Sequence, residues 1–423
     1  MAAKKQGTTK VPIQNVSNET VPLIAPEVTP KVTPQVYCAM QDVFLHLKVT
    51  ESWRGKIPTQ EGFSKEDKEA LNLMVLAIMK DVWSPDGVNW EGFLPYVMLR
   101  LIRKRFTWDS KPSNKKDFTE KIPGFEDKLN EYAVGKMEEE GAGDFARYVM
   151  EEAKKVDPKT LRLYKAARTI ATLVEYEEMK NRLRPDIIDT TRGEILLDLN
   201  NFLDLPGYYE LAFGIGKYVN GTFEAGKYAK LKQLIRTISC ARYTFRWQSH
   251  ICNVRCNILT HMLESAALSY IQNLEEGVSS TETLMKDFWI MLFHDIAEVW
   301  SDDIPGPVKD SFTVKWKGEE VKFRHITEIQ EGEAEEINFI ANLADVSKEF
   351  FRKHMLDAEK DPVKHKRYKN FDYFAADWEV YWNILAGARE PRYFEILYNS
   401  LAFQPTRTDI QKKAIIDFLK SVN

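Results

Sequence analysis

The sequence predicts an all-α protein, and three observations support that fold class. After residue 36, apolar residues recur at intervals of three and four in most segments, which is the pattern of amphipathic helices. Sustained alternation of apolar and polar residues, the mark of a half-buried strand, is hard to find. The stretch 311–323, SFTVKWKGEEVKF, is the exception. Its Lys317-Gly318 pair is typical of the turn of a short hairpin.

The helical pattern divides the chain into regions. A length of 423 residues exceeds one ordinary hydrophobic core, so two globular units are expected. The predicted helices cover 68–82, 94–106, 144–155, 161–183, 231–240, 257–272, 283–298, 331–344, 371–386 and 408–419. The predicted organisation is a flexible Pro/Val/Thr-rich arm over 1–35, a helical domain over 36–190, a glycine-rich connector over 191–227 and a second helical domain over 228–423.

Composition excludes several classes of protein. The net charge of -4 predicts no broad electrostatic surface for extended nucleic acid. The chain has no signal-peptide pattern at its start and no apolar run of membrane-spanning length, which predicts a soluble, cytoplasmic protein without a membrane partner. Its four cysteines are too few for a disulfide framework. Cys252 and Cys256 are four apart but lack a second pair, so we interpret them as buried thiols rather than metal ligands.

The second helical region contains a set of metal-ligand residue types. His261 lies on one predicted helix, the adjacent pair His294 and Asp295 on the next, and Asp377 on a later one. Two imidazoles and two carboxylates form a mixed N/O donor set suited to a divalent metal ion, whether Mn, Co, Fe, Zn or Mg. Each residue is embedded in an apolar helical pattern, which favours a buried site over scattered surface groups.

Two long motifs resemble a known family. The string 246–261, RWQSHICNVRCNILTH, and the string 294–309, HDIAEVWSDDIPGPVK, followed by AAD at 375–377, are similar to motifs of the HD-domain phosphohydrolases, in particular the bacterial HD-domain 5'-deoxynucleotidases. The resemblance covers about residues 228–398 and implies an HD-domain helical bundle. It further implies that a divalent metal is bound by His261, His294, Asp295 and Asp377.

The resemblance also implies roles for other residues. Glu298 is implied as the catalytic acid or water-orienting carboxylate, and Asp303 as a group close to the attacking water and phosphate. Arg246 and Trp247 are implied as substrate contacts, a role that suits a guanidinium fork facing phosphate oxygens. The chain departs from the family pattern at Thr260, Ile258 and Asp302, which puts substrate selectivity in doubt more than catalysis. Arg255 and Lys309 are either substrate-binding cations or solvated surface cations, and both interpretations remain open.

The two helical halves can be aligned as a tandem repeat. His46 stands 34 residues before Lys80, and His261 stands 33 residues before His294. The segment 164–176, YKAARTIATLVEY, parallels 373–385, with Arg168 where Asp377 stands. In this alignment the first copy is a degenerate HD-like domain with cations at metal-ligand positions. The alternative is a chance match of two helical regions. Single-domain members of the family look like homodimers, so either a homo-oligomer or an internal pseudo-dimer is expected.

These observations predict a metal-dependent phosphohydrolase whose partner is a small-molecule nucleotide. The preferred activity is that of a 5'-deoxynucleotidase, which releases phosphate from deoxynucleoside 5'-monophosphates. Two alternatives remain: a deoxynucleoside triphosphate hydrolase, and a non-catalytic HD protein that senses nucleotides. Intact Glu298 and Asp303 argue against the sensor, because a pure binding protein has no need of both.

Overall fold

The structure is a computed structural model that describes residues 31–52, 63–107, 112–183, 185–215, 217–219, 222–224, 226–247, 250–301, 303–304, 306–404 and 406–422. In the first half of the chain the helices are α1 Pro34–Val49, α2 Lys65–Trp83, α3 Phe93–Phe106, α4 Pro112–Lys121, α5 Phe125–Glu139, α6 Gly143–Ala153, α7 Pro158–Met179, α8 Pro185–Asn200 and α9 Tyr208–Phe213. In the second half they are α10 Lys227–Ser239, α11 Ile258–Glu275, α12 Thr281–Phe293, α13 Glu298–Ser301, α14 Gly306–Asp310, α15 Phe323–Ala334, α16 Asp345–Lys360, α17 Pro362–Leu385, α18 Pro391–Phe403 and α19 Asp409–Val422.

The predicted all-α class is confirmed. Within the described residues, β-structure is limited to isolated bridges and two antiparallel pairs, β1 Lys217–Val219 with β2 Thr222–Glu224 and β3 Thr313–Trp316 with β4 Glu319–Lys322. The second pair is the predicted hairpin. Its turn residues Lys317 and Gly318 both have positive φ, 48° and 93°, as a two-residue hairpin loop of the right twist requires.

Two predicted boundaries differ from the observed ones. The boundary predicted between residues 190 and 191 lies inside α8, because Thr191 and Ile195 are buried on one side of that segment and Gly193 is tolerated within the helix. The connector predicted over 191–227 therefore contains the end of α8, all of α9 and the first strand pair. The helix expected over 283–298 ends earlier, at Phe293, so Asp295 and Glu298 do not lie on one regular helix.

The predicted arm over 1–35 falls largely outside the described residues, which begin at residue 31. Its last two residues are already helical, since α1 begins at Pro34. Proline is favoured at the first position of a helix, where its missing N–H costs no hydrogen bond. The remaining domain boundaries stay predictions.

Helices from both halves share one continuous hydrophobic core. α2 packs against α11, and α1 packs against α19. Aromatic contacts join α1 directly to α17: the ring centroids of Phe44 and Trp378 lie 5.7 Å apart, and those of Tyr37 and Phe374 lie 5.2 Å apart. The N-terminal half is therefore packed against the same helices that carry the predicted metal ligands.

No helix among the described residues is both long enough and apolar enough to cross a membrane.

Candidate metal centre

Four side chains from three helical segments converge in the second half. His261 lies in the first turn of α11, whose N-cap is Asn257. His294 and Asp295 directly follow the last residue of α12, and Asp372 lies on α17. His294 Nε2 is 3.2 Å from Asp295 Oδ2, and His261 Nε2 is 3.0 Å from Asp372 Oδ1. One donor atom from each residue lies within 4.8 Å of all the others, so the cluster is able to hold a metal ion.

The two imidazoles are oriented for metal binding. His294 Nδ1 lies 2.7 Å from the backbone oxygen of Met291 and donates to it in the tautomer that leaves Nε2 free of a proton. Among the described residues, none forms a hydrogen bond with His294 Nε2, although Asp295 Oδ2 lies 3.2 Å from it. His261 presents Nε2 to the cluster, while its Nδ1 faces Glu379 Oε1 at 3.4 Å. A histidine ligand whose second nitrogen faces a carbonyl or carboxylate is the usual arrangement at protein metal sites.

The electrostatics of the cluster also fit a cation. Burial lowers the pKa of His294, but Asp295 and Asp372 outweigh burial and raise that pKa to about 10. Burial raises the pKa of Asp372, but Lys369 and the two histidines outweigh it and hold that pKa well below its ordinary value. In the metal-free protein the ionised carboxylates therefore favour protons on the imidazoles. A bound metal ion would balance the same carboxylate charge in place of those protons.

The structure places Asp377 away from this cluster. Its Oδ2 accepts hydrogen bonds from Ser400 Oγ at 2.6 Å and from Arg407 Nη2 at 2.7 Å. Burial outweighs both partners and raises the pKa of Asp377 to about 6. Asp372 and Asp377 are five residues apart on α17, which puts them about 140° apart around the helix axis. The predicted ligand set is corrected accordingly: Asp372 occupies the fourth position, and Asp377 belongs to a separate ion pair.

The predicted catalytic carboxylates lie beside the cluster. Glu298 is the first residue of α13, and no described residue donates a hydrogen bond to its buried Oε2. Burial together with the charges of Asp295 and Asp303 raises the pKa of Glu298 well above its ordinary value. Burial also raises the pKa of Asp303, although Arg246 opposes the shift. A buried carboxyl group with a raised pKa, whose Oε2 accepts no hydrogen bond from a described residue, is suited to proton transfer beside a cation site.

Arg246 and Trp247 are held at the same cluster through Glu379. Arg246 Nε donates to Glu379 Oε2 at 3.1 Å, and Trp247 Nε1 donates to the same oxygen at 2.7 Å. Arg246 Nη1 also lies 3.5 Å from Asp295 Oδ2. Trp247 has a φ of 61°, a left-handed conformation that is rare for a bulky residue. Such an outlier at a site is typical of a side chain held in place for a function.

The two remaining predicted cations lie in different surroundings. Lys309 is buried and donates to Glu331 Oε1 at 2.7 Å, and its charge acts on Glu298. Arg255 is exposed, with its guanidinium carbon 5.6 Å from the centroid of the Phe245 ring. Lys309 is therefore near the site, whereas the contact given for Arg255 is with an aromatic ring.

Sequence reasoning missed Asp372, Glu379 and Lys369. Asp372 and Glu379 are seven residues apart on α17 and so share one helix face. Asp377, five residues from Asp372, lies on a different face. Lys369 Nζ lies 3.0 Å from Asp372 Oδ2. Lys369 and Asp372 border a pocket at the cluster, whose other lining residues are Ile290, Met291, His294, Glu335, Met355, His365 and Tyr368.

Comparisons with known proteins bear on the second half of the chain. Searches of curated proteins and of solved structures find no match. A comparison with protein families matches residues 233–421 to the family described as 5'-deoxynucleotidase YfbR-like. The matched range contains His261, His294, Asp295 and Asp372 together with Arg246 and Glu298. The resemblance seen in the sequence motifs is thereby confirmed over residues 233–421, which match the YfbR-like 5'-deoxynucleotidase family of HD-domain proteins.

Proposed function

We propose that this protein is a metal-dependent phosphohydrolase that releases phosphate from deoxynucleoside 5'-monophosphates. The observation that carries the proposal is the juxtaposition of two imidazoles and two carboxylates within 4.8 Å of one another with the unpaired carboxyl group of Glu298 beside them. His261, His294, Asp295 and Asp372 would hold a divalent ion, which would supply Lewis-acid polarisation of the phosphate.

The chain's own side chains account for substrate binding. The guanidinium group of Arg246 lies between Asp295 and Glu379, with its fork at the edge of the cluster. Such a fork pairs with two phosphate oxygens at once. Trp247 is half-buried beside it and offers an aromatic face to a sugar or base. We assign phosphate binding to Arg246 and nucleoside contact to Trp247.

Two carboxyl groups manage the protons of hydrolysis. Water attacks phosphorus, the bond from phosphorus to the 5' oxygen breaks, and one proton must pass from the water to the departing oxygen. Asp303 accepts the proton of the attacking water, and Glu298 donates a proton to the 5' oxygen. The raised pKa of Glu298, caused by burial and by Asp295 and Asp303, favours the protonated form that can donate.

A panel of nucleoside mono-, di- and triphosphates, assayed with Mn²⁺ or Co²⁺, tests the proposal. Release of inorganic phosphate from deoxynucleoside monophosphates is the expected result, and Asp372→Asn is the inactive control. Release of triphosphate from deoxynucleoside triphosphates with no monophosphate cleavage would favour the triphosphate hydrolase instead. Tight nucleotide binding by metal-loaded protein without turnover of any member of the panel would favour the sensor.

A further inference from the structure

Two stretches of the chain fold alike around the start of a long helix. A β-bridge joins Glu51 to Ser64 immediately before α2, and another joins Phe245 to Asn257 immediately before α11. Ser64 and Asn257 are the N-caps of those helices, and each side chain accepts a hydrogen bond from the backbone N–H three residues later. This register aligns α2 with α11 and α1 with α10. The register predicted from His46 is therefore wrong, since it aligns α1 with α11.

The correspondence extends to α7 and α17. Each begins with an Asp N-cap followed by proline, Asp157-Pro158 and Asp361-Pro362. In this alignment Lys68 takes the place of His261, Glu175 that of Glu379, and Arg168 that of Asp372. The paired positions contact each other in both halves: Lys68 Nζ lies 3.4 Å from Glu175 Oε2, and His261 Nδ1 lies 3.4 Å from Glu379 Oε1. The first copy thus has cations at two of the ligand positions.

Each copy sends one cation into the other. Lys48 near the end of α1 and Arg242 in the 3₁₀ turn Cys240–Tyr243 after α10 are equivalent. Each lies two residues before a threonine, Thr50 or Thr244, whose backbone oxygen accepts from the first residue of the following long helix. Arg242 lies against the first copy, where its Nη1 is 3.6 Å from Glu175 Oε1. Lys48 lies against the second copy, where its Nζ is 2.6 Å from Glu264 Oε1 and donates to Thr260 Oγ1 at 2.7 Å. Thr260 is the neighbour of His261 in sequence.

Lys48 meets a concentration of buried negative charge. Glu66, Glu264 and Glu379 are all fully buried. Glu264 and Glu379 each offer a carboxylate oxygen within 4.8 Å of a His261 nitrogen and of each other. Buried carboxylates of this density are costly without a cation. The ammonium group of Lys48, 2.6 Å from Glu264 and 3.6 Å from Glu66, provides one.

We propose that Lys48 is a positioning residue for the metal centre: its ammonium group holds Glu264 and balances Glu379, and so fixes His261 with Nε2 toward Asp295 and Asp372. The N-terminal half would then complete the site of the C-terminal half. The inference rests on the proposed function only in taking the cluster as a metal site. Its primary readout is therefore metal binding and not turnover.

The test compares Mn²⁺ affinity, measured by titration calorimetry, in wild type, Lys48→Met and Lys48→Arg. Arg242→Met is the matched control, because Arg242 is the equivalent residue against the copy that lacks the ligands. Lys48→Met should lower Mn²⁺ affinity about 10- to 100-fold, the range typical of residues that orient a metal ligand. Lys48→Arg should retain most of the affinity, and Arg242→Met should leave it unchanged even if both Met variants lose stability.

A charge-balancing double variant keeps the test informative if Lys48→Met fails to fold. Lys48→Met/Glu264→Gln removes one cation and one carboxylate together and should recover part of the lost affinity. Wild-type Mn²⁺ affinity in folded Lys48→Met, or an equal loss in Arg242→Met, would overturn the proposal. So would a wild-type protein that binds no Mn²⁺. A wild type that binds Mn²⁺ but cleaves no nucleotide would refute the proposed function and leave the role of Lys48 standing.

Discussion

Removing the negative charge at Asp372 or at Asp377 distinguishes the proposed metal ligand from a structural ion pair on the same helix. Asparagine preserves the shape of aspartate and removes its charge at each position. Asp372 contacts His261 Nε2 at 3.0 Å, whereas Asp377 contacts Arg407 Nη2 at 2.7 Å. We expect Asp372→Asn to lose metal affinity. Asp377→Asn should instead lose stability and keep the metal.

The stability cost of Asp377→Asn follows from the burial of its partner. The Arg407 side chain is 0% exposed, so the substitution leaves a buried guanidinium without its counter-charge. Breaking such a pair costs about 3–5 kcal/mol. The asparagine oxygen still accepts from Arg407 and Ser400, which places the expected loss near the lower end, about 3 kcal/mol.

The metal readout is the stabilisation that Mn²⁺ adds. At a concentration 100-fold above the dissociation constant, a ligand stabilises the folded state by about 2.7 kcal/mol. Asp377→Asn should gain that same amount from its lower starting point. If loss of the Asp372 ligand weakens binding about 100-fold, the gain at the same Mn²⁺ concentration falls to about 0.4 kcal/mol.

Urea unfolding with and without Mn²⁺ measures both quantities in each variant. The expected pattern is a low baseline with full Mn²⁺ stabilisation for Asp377→Asn, and near-zero Mn²⁺ stabilisation for Asp372→Asn. The opposite pattern, with Mn²⁺ stabilisation lost in Asp377→Asn and retained in Asp372→Asn, would refute the assignment of Asp372 to the cluster.

Three further predictions concern the same site. Glu298→Gln should lower kcat about 10²- to 10⁴-fold with Mn²⁺ affinity retained, and kinetics beside calorimetry would show whether both hold. Arg246→Lys, assayed at saturating Mn²⁺, should raise KM for a deoxynucleoside monophosphate about tenfold or more because the phosphate fork is lost; an unchanged KM would remove Arg246 from phosphate binding. His294 should release a proton when Mn²⁺ binds at pH 8, because Asp295 and Asp372 outweigh burial and hold its metal-free pKa at about 10. The stability that this raised pKa lends the metal-free protein is complete below the unfolded pKa of about 6.5 and is lost as pH rises through about 10. Calorimetry at pH 8 in buffers of different ionisation enthalpy measures the released proton, and Mn²⁺ binding without any release would contradict the prediction.

The sequence predicted those features of the fold whose pattern spans only a few neighbouring residues. The hairpin turn was predictable from Lys317-Gly318, because a two-residue loop demands positive φ at both positions. The pair His294 and Asp295 was predictable because adjacent residues at a helix end must lie together in space. The boundary predicted after residue 190 falls inside α8, because a helix can retain Gly193 when its neighbours Thr191 and Ile195 are buried.

Asp372 shows what local patterns leave undetermined. Both Asp372 and Asp377 lie on α17, and helical periodicity separates their faces by about 140° without saying which face meets α11. Which face meets α11 depends on contacts with α18 and with Arg407. Arg407, 30 residues from Asp377 in sequence, donates a hydrogen bond to it. The i,i+7 relation of Asp372 to Glu379 was present in the sequence, but its meaning required knowing that Glu379 faces His261.

The N-terminal half has a physical reason to be fused to the C-terminal one. A surface that only covered a neighbouring domain would need apolar contacts such as Phe44 on Trp378. Lys48 adds something different, since it places a buried cation 2.6 Å from Glu264 of the other half. Its second partner is Thr260, a position at which the sequence departs from the family motif. Because the carboxylates need the cation and the cation needs the carboxylates, neither half could keep its share of this network alone, and the half with the candidate metal cluster depends on a buried cation from the other half.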